Sequence, residues 1–368
     1  MNGYFDHNAT TPLHPAAREA WLRASEKHWH NPSSLYRDAG LASQQLESAR
    51  ERLSTLIGTD AERIVFTSGA TESNNALMRS FELVAISAIE HPSVRMAAGK
   101  ALELPVNADG VVEPDAVKAL IASKRPALVS VMAANNESGA LQPWSEIAAI
   151  CREQGVLFHT DAAQWIGKLD ASNLGECDFI TGSAHKFGGT KGCGFLVLPA
   201  EDSRLNFMRG GPQESGRRAG TENYPAIEAM VTALETITPH LSDIEVAQSK
   251  RRDDFVTAMR ARFENLRVIS DSAPRLWNTV LMVMPEHDNL KWLTRLSRRG
   301  FSISTGSACS SGKEGSSVVV TALGASAEEL KRVVRVSGGW DTMAEDWQAL
   351  AQAFGDVADE LKRGGRPQ

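Results

Sequence analysis

The sequence predicts an α/β protein with a largely parallel sheet covered on both faces, followed by a smaller α+β unit. Three observations carry that expectation. Short apolar runs alternate with helical stretches over most of residues 15–240. The runs are apolar at nearly every position, as in strands buried on both faces. The pattern then changes at Thr238–Asp243, after which one long polar helix precedes a different mixture of elements.

Taken in order, SQQLESARERLSTLIG places Leu46, Ala49, Leu53, Leu56 and Ile57 on one helical face and closes with Gly58. RIVFTSG, LVAISAI, PALVSVMAA, GVLFHTD, DFITGSAH and CGFLVLP read as buried strands. EPDAVKALIASK and PWSEIAAICREQG read as helices between them, and PAIEAMVTALETI as the helix that closes this half. Beyond it come a helix around SKRRDDFVTAMRARFENL, a strand WNTVLMVM, a helix DNLKWLTRLSRRG, a strand VVRVSGG and a final helix AEDWQALAQAFGDVADELKR. The expected division is an arm, 1–14, joining the small domain, a large domain, 15–240, and a small domain, 241–368, with a ligand cleft between them.

Composition narrows the function classes. The 39 Lys and Arg against 45 Asp and Glu give a net charge of −6 without a long block of either sign, so no polyanion-binding surface is expected, and no nucleic acid. No apolar stretch approaches the roughly 18 residues that cross a bilayer, and MNGYFDHNATT has neither a basic nor an apolar leader region. A soluble, cytoplasmic protein without a membrane association is expected. The four cysteines form no C-x-x-C pair, which disfavours a structural metal site or a disulfide framework. Cys151, Cys177 and Cys193 adjoin apolar segments and read as buried thiols. Cys309 lies in STGSACSSGKEGSS, with almost nothing apolar to pack around it, and reads as a thiol on a mobile, solvent-reachable loop.

Three features point to chemistry. RIVFTSGATESNNALM passes through Ser68, Gly69, Ala70 and Thr71 into a helix expected near Glu72, and exposed amides there suit a phosphate. A capped helix start with no ligand accounts for the same residues equally well. Asp161 ends an apolar run, where open α/β sheets bind ligands, or it is an ordinary helix cap. Lys186, after another strand and beside Ser183 and His185, is placed to be partly desolvated, as an amine that joins an aldehyde must be; alone it reads as a surface charge. Together, a phosphate cradle, a strand-end Asp and a strand-end Lys are the fixtures that pyridoxal 5'-phosphate needs.

The order and wording of YFDHNATTP, HNPSS, FTSGATESNN, EHPSV, NNESG, HTDAAQ, GSAHKFGGTKG, GGPQESGRRAGTEN, TGSACSSG and VRVSGG closely resemble the cysteine desulfurases, of the fold-type I, class V aminotransferase-like enzymes. The resemblance spans nearly the whole chain. It implies a mostly parallel seven-stranded sheet, pyridoxal phosphate as cofactor, L-cysteine as substrate, a homodimer, and a sulfur-acceptor or iron–sulfur scaffold protein as partner. By that resemblance Lys186 holds the cofactor's aldehyde, Asp161 faces its ring nitrogen, Gln164 its ring hydroxyl, and His91 stacks on the ring. Thr71, Ser183 and His185 match phosphate ligands beside Ala70, with Thr221 reaching over from the second subunit. Asn136 and Arg335 match positions that hold the substrate and its carboxylate, although Arg335 in an apolar run also reads as half of a buried ion pair. Cys309 matches the thiol that takes sulfur as a persulfide, leaving alanine.

Three departures stand out: Tyr36 stands shortly after HNPSS at the place of a usual histidine, SSVVVTALG after the cysteine loop lacks a histidine often seen there, and Trp340 follows VRVSGG where arginine is common. Alternatives on the same scaffold are a selenocysteine lyase, another carbon–sulfur lyase or an aminotransferase, and Cys309 argues against the last. A non-catalytic scaffold subunit is disfavoured by Lys186, Asp161 and Cys309 standing together.

Overall fold

The computed structural model describes residues 3–201, 208–306 and 317–364; Cys309 lies outside them. The chain begins with α1 (Pro15–Lys27) and α2 (Arg37–Ile57), then β1 (Ile64–Thr67), α3 (Ala70–Met78), β2 (Val84–Ser87), α4 (Pro92–Arg95), β3 (Leu102–Leu104) and α5 (Pro114–Lys124). It continues through β4 (Leu128–Ser130), α6 (Trp144–Glu153), β5 (Leu157–Asp161), β6 (Phe179–Ser183), β7 (Gly194–Val197) and α7 (Tyr224–Ile237). The remainder is α8 (Leu241–Arg262), β8 (Arg267–Val268), β9 (Thr279–Val283), α9 (Asn289–Arg298), α10 (Val318–Ala322), α11 (Ala327–Leu330), β10 (Val333–Ser337) and α12 (Ala344–Gly364).

The first seven strands form one sheet in the order β1-β7-β6-β5-β4-β2-β3. The pairs from β3 to β6 are parallel, while β7 is antiparallel to both its neighbours, so β1 runs with the majority. All but β7 therefore end at the same edge, where open α/β sheets place their ligands. Six of these strands are the apolar runs the sequence predicts. The seventh, β3, escapes it because an edge strand with one buried residue, Leu104, carries no apolar run.

Helices cover both faces. α1 buries Ala17, Ala20 and Ala24, and α7 buries Ala226, Ala229 and Ala233; small side chains on both faces let these two helices approach closely. α2 buries Leu46, Ala49, Leu53 and Ile57, with Leu56 at the margin, and stops at Gly58 in the left-handed region. A Cβ at Gly58 would lie 1.7 Å from the Ser172 carbonyl oxygen, so the turn requires glycine. α3 starts at Ala70, two residues before the expected Glu72, because Gly69 at φ 140° makes the turn immediately after β1.

A second, antiparallel sheet has the order β10-β9-β8. Its core joins Val280, Met282 and Val334 to Phe255, Trp292, Trp347 and Phe354 from α8, α9 and α12. The N-terminal segment crosses between the sheets. Phe5 packs into this second core and bonds Ser302 and Ser337 through its backbone, whereas Thr11 and His14 bond the backbones of His185 and Gly188. Among the described residues no helix is long and apolar enough to cross a membrane. Cys151, Cys177 and Cys193 are buried free thiols, as the sequence predicts.

Candidate active site

A cavity of about 510 Å³ opens where the ends of β1, β5 and β6 meet the N-terminal segment and β10. Ala70, Thr71, His91, Asn136, Asp161, Gln164, Ser183, His185, Lys186 and Arg335 all line it. Residues as far apart in sequence as Asn8 and Arg335 are thus brought together around one cavity by the strand ends and one N-terminal crossing. Thr221 is exposed and does not line the cavity.

The turn from β1 into α3 supplies donors. The amide of Gly69 reaches Thr67 Oγ1 at 3.3 Å, and the helix's own bonding begins only at Ser73, whose amide reaches the Gly69 carbonyl. The first-turn amides of Ala70, Thr71 and Glu72 thus have no intrahelical acceptor. Glu72 folds back to accept from the Ser68 amide at 2.8 Å and pairs with Arg218 at 3.0 Å. Burial works to raise the Glu72 carboxyl, but the bonds from Arg218 and Ser68 outweigh it and lower its pKa. His185 meets Thr10 Oγ1 at 3.1 Å; burial, with Lys186 and Lys191 nearby, pushes its pKa down to about 4 and keeps the ring neutral.

Asp161 ends β5 with 6 % exposure. Its carboxylate accepts from Asn74 Nδ2 at 2.8 Å and from the Ala163 amide at 3.0 Å, both neutral donors. A buried carboxylate so held suits a cationic ring nitrogen. His91 caps α4, bonded through Nδ1 to Ser93. Burial lowers its pKa against the opposing charge of Asp161, with Lys186 adding to the lowering.

Lys186 donates to the backbone carbonyls of Asn8, at 2.6 Å, and Ala9, at 2.9 Å. Arg335 is 1 % exposed; it pairs with Asp6 at 2.5 Å and donates to the Asn136 carbonyl at 3.0 Å. The ion pair weighed from sequence is therefore present, in a side chain that also faces the cavity. Bare amides, neutral His185, a buried carboxylate and an amine on one wall fit a phosphorylated, cationic, aldehyde-bearing ring.

Three residues not singled out in the sequence organise this wall. Asn74 presents Asp161 to the cavity and bonds Ser93 as well. Asn8 joins both sheets: its side chain meets Asn136, Thr279, Lys168 and Asn278, and its carbonyl accepts from Gln164 and Lys186. Lys168, 3 % exposed, lies behind Gln164. The signal for Asn8 was its place in DHNATTP; an asparagine before small residues reads as a turn, and Lys168 as surface charge. Of these departures, Tyr36 is exposed beside His30, and Trp340 packs near His14 and His7, against Gly188.

The aminotransferase class-V family model matches residues 3–350. A cysteine desulfurase of Rhodobacter capsulatus is 35% identical, the match covering 98% of this chain and 97% of that protein. The cysteine desulfurase IscS of Dictyoglomus turgidum is 31% identical over 98% of this chain and 95% of its own length. Among solved structures, a NifS-like protein from Rickettsia africae superposes with a TM-score of 0.89 at 31% identity, covering 98% of this chain and all of that one.

Proposed function

The chain belongs to the aminotransferase class-V family and, within it, to the cysteine desulfurases, and from that premise we propose which of its residues carry L-cysteine to L-alanine. The observation that carries the assignment is the convergence of Lys186, Asp161 and the bare amides of the β1–α3 turn on one cavity. Pyridoxal phosphate, the cofactor this wall would hold, supplies an electron sink for the substrate's α-carbon.

In this reading Lys186 would hold the cofactor's aldehyde, Asp161 would face and keep protonated its ring nitrogen, Gln164 would donate to its ring hydroxyl and His91 would lie against its ring. Ala70, Thr71, Ser183 and His185 hold the phosphate, with Thr221 supplied by a second copy of the chain. The exposed position of Thr221 and the exposed apolar side chains Trp29, Leu35 and Tyr36 support a homodimer. The chain divides into an arm, 1–14, a cofactor-binding domain, 15–240, and a small domain, 241–368.

Arg335 and Asn136 orient the substrate carboxylate, and the Lys186 amine takes the α-proton. The Cys309 thiolate attacks the substrate sulfur. The substrate C–S bond breaks, an S–S bond forms, and the released electron pair leaves a carbon that takes a proton. Overall, L-cysteine and the Cys309 thiol become L-alanine and a Cys309 persulfide, with no external oxidant. A sulfur-acceptor protein then restores the thiol. Incubating the cofactor-loaded protein with L-cysteine and a reducing thiol tests this: alanine and sulfide should appear in equal amounts, and cysteine consumption without alanine would overturn it.

A further inference from the structure

Lys168 is a buried amine that the proposed reaction does not use. It lies in the turn after β5, seven residues beyond Asp161, and its Nζ reaches Gln164 Oε1 at 2.5 Å and Asn8 Oδ1 at 2.9 Å. Both acceptors are amide oxygens, and neither carries a formal charge. A neutral amine has two N–H groups, and two acceptors are provided, so the hydrogen bonding closes without a buried unpaired cation. Burial, reinforced by Lys186 and Arg335, moves its pKa in the direction of that neutral form.

We propose that Lys168 is a positioning residue that fixes the Gln164 carboxamide with an N–H turned into the cavity. An amine's hydrogens claim Oε1, while the Asn8 carbonyl, which can only accept, takes one hydrogen of Nε2 at 2.9 Å. The amide is thereby held at both ends, and its second N–H remains for the cavity that Gln164 lines. Asn8 is tied into the same unit, since its Oδ1 takes Lys168 and its carbonyl takes Gln164 and Lys186. Lys168 thus acts through Gln164 on the group that the cavity holds, and touches that group itself nowhere.

This inference rests on the cofactor reading above, and a double-mutant cycle on cofactor binding tests it. Pyridoxal phosphate is titrated into cofactor-free wild type, Lys168→Met, Gln164→Leu and the double variant, and its dissociation constant and visible absorption maximum are read. Lys168→Met should weaken binding about fivefold and shift the band, as expected from one loosened hydrogen bond. In the Gln164→Leu background the same substitution should change affinity less than twofold. An equal loss in both backgrounds would overturn the positioning role while leaving the cofactor reading intact. Wild type that takes up no pyridoxal phosphate would instead overturn the cofactor reading on which the role depends. Should Lys168→Met fail to fold, the same comparison is made with Lys168→Ala, which also removes the donor to Gln164 Oε1.

Discussion

Truncating Asn8 to Ala removes the side chain that joins the two sheets at the cavity. It is 1 % exposed and makes four hydrogen bonds: Nδ2 donates to the Asn136 carbonyl at 3.1 Å and to Thr279 Oγ1 at 2.8 Å, while Oδ1 accepts from Lys168 at 2.9 Å and Asn278 at 3.0 Å. Some partners are covered elsewhere. Asn136 keeps the Arg335 guanidinium, Thr279 keeps Asn278 Oδ1, and Lys168 keeps Gln164. What is lost outright is the acceptor for one hydrogen on Lys168 and one on Asn278. An orphaned buried donor costs about 1–3 kcal/mol, and a water entering the vacated space offsets part of that, so Asn8→Ala should lose about 2–4 kcal/mol. Urea unfolding of the cofactor-free protein reads this without the added stability of a bound ligand. Asn8→Ala within about 0.5 kcal/mol of wild type, the range of an ordinary surface change, would show that the Asn8 side chain does not hold the two sheets together.

Two further outcomes follow from buried charges. Glu214 accepts both guanidinium branches of Arg50, at 2.8 and 2.9 Å, and the Phe66 amide at 2.9 Å, pinning the stretch that leads to Thr221 onto β1. Breaking such a pair by removing one charge costs about 3–5 kcal/mol, so Glu214→Gln should lower the urea midpoint clearly; an unchanged midpoint would contradict the pinning. Glu90 lies wholly buried beside His91, and burial raises its pKa to about 8, against the bonds from Ser87 and Met132. Its folded pKa stands above its unfolded one, so the native state holds the proton more tightly. The stability it contributes is complete below the ordinary glutamate pKa and is lost as pH rises towards 8. Glu90→Gln should remove that slope, and parallel stability–pH curves for the two proteins would count against it.

Local pattern made the elements legible and long-range contact did not. The α2 face, the apolar strands, the strand-end position of Asp161 and the place of Lys186 in the turn after β6 follow from neighbouring residues, because periodicity and turn chemistry are local. An apolar run such as CGFLVLP carries no mark of direction, so the reversal of β7 became visible only in its pairing with β1 and β6. Asn8 and Asn278 meet across 270 positions, and Arg335 and Asp6 across 329; such partners are chosen by the closed fold. Lys168 shows the same limit, since nothing beside it in sequence distinguishes a buried amine from a solvated one.

In the proposed reaction sulfur leaves L-cysteine for Cys309 while Lys186 and Asp161 serve the cofactor. A single-turnover reaction of the cofactor-loaded protein with L-cysteine, quenched by alkylation and read by peptide mass, tests it most directly, with Cys309→Ser run in parallel. The Cys309 peptide should gain one sulfur atom per alanine formed. In Cys309→Ser, L-cysteine should still perturb the cofactor's absorbance while alanine formation collapses, because a hydroxyl is a far weaker nucleophile towards sulfur than a thiolate. Undiminished alanine from Cys309→Ser, or the added sulfur on Cys151, Cys177 or Cys193, would contradict it.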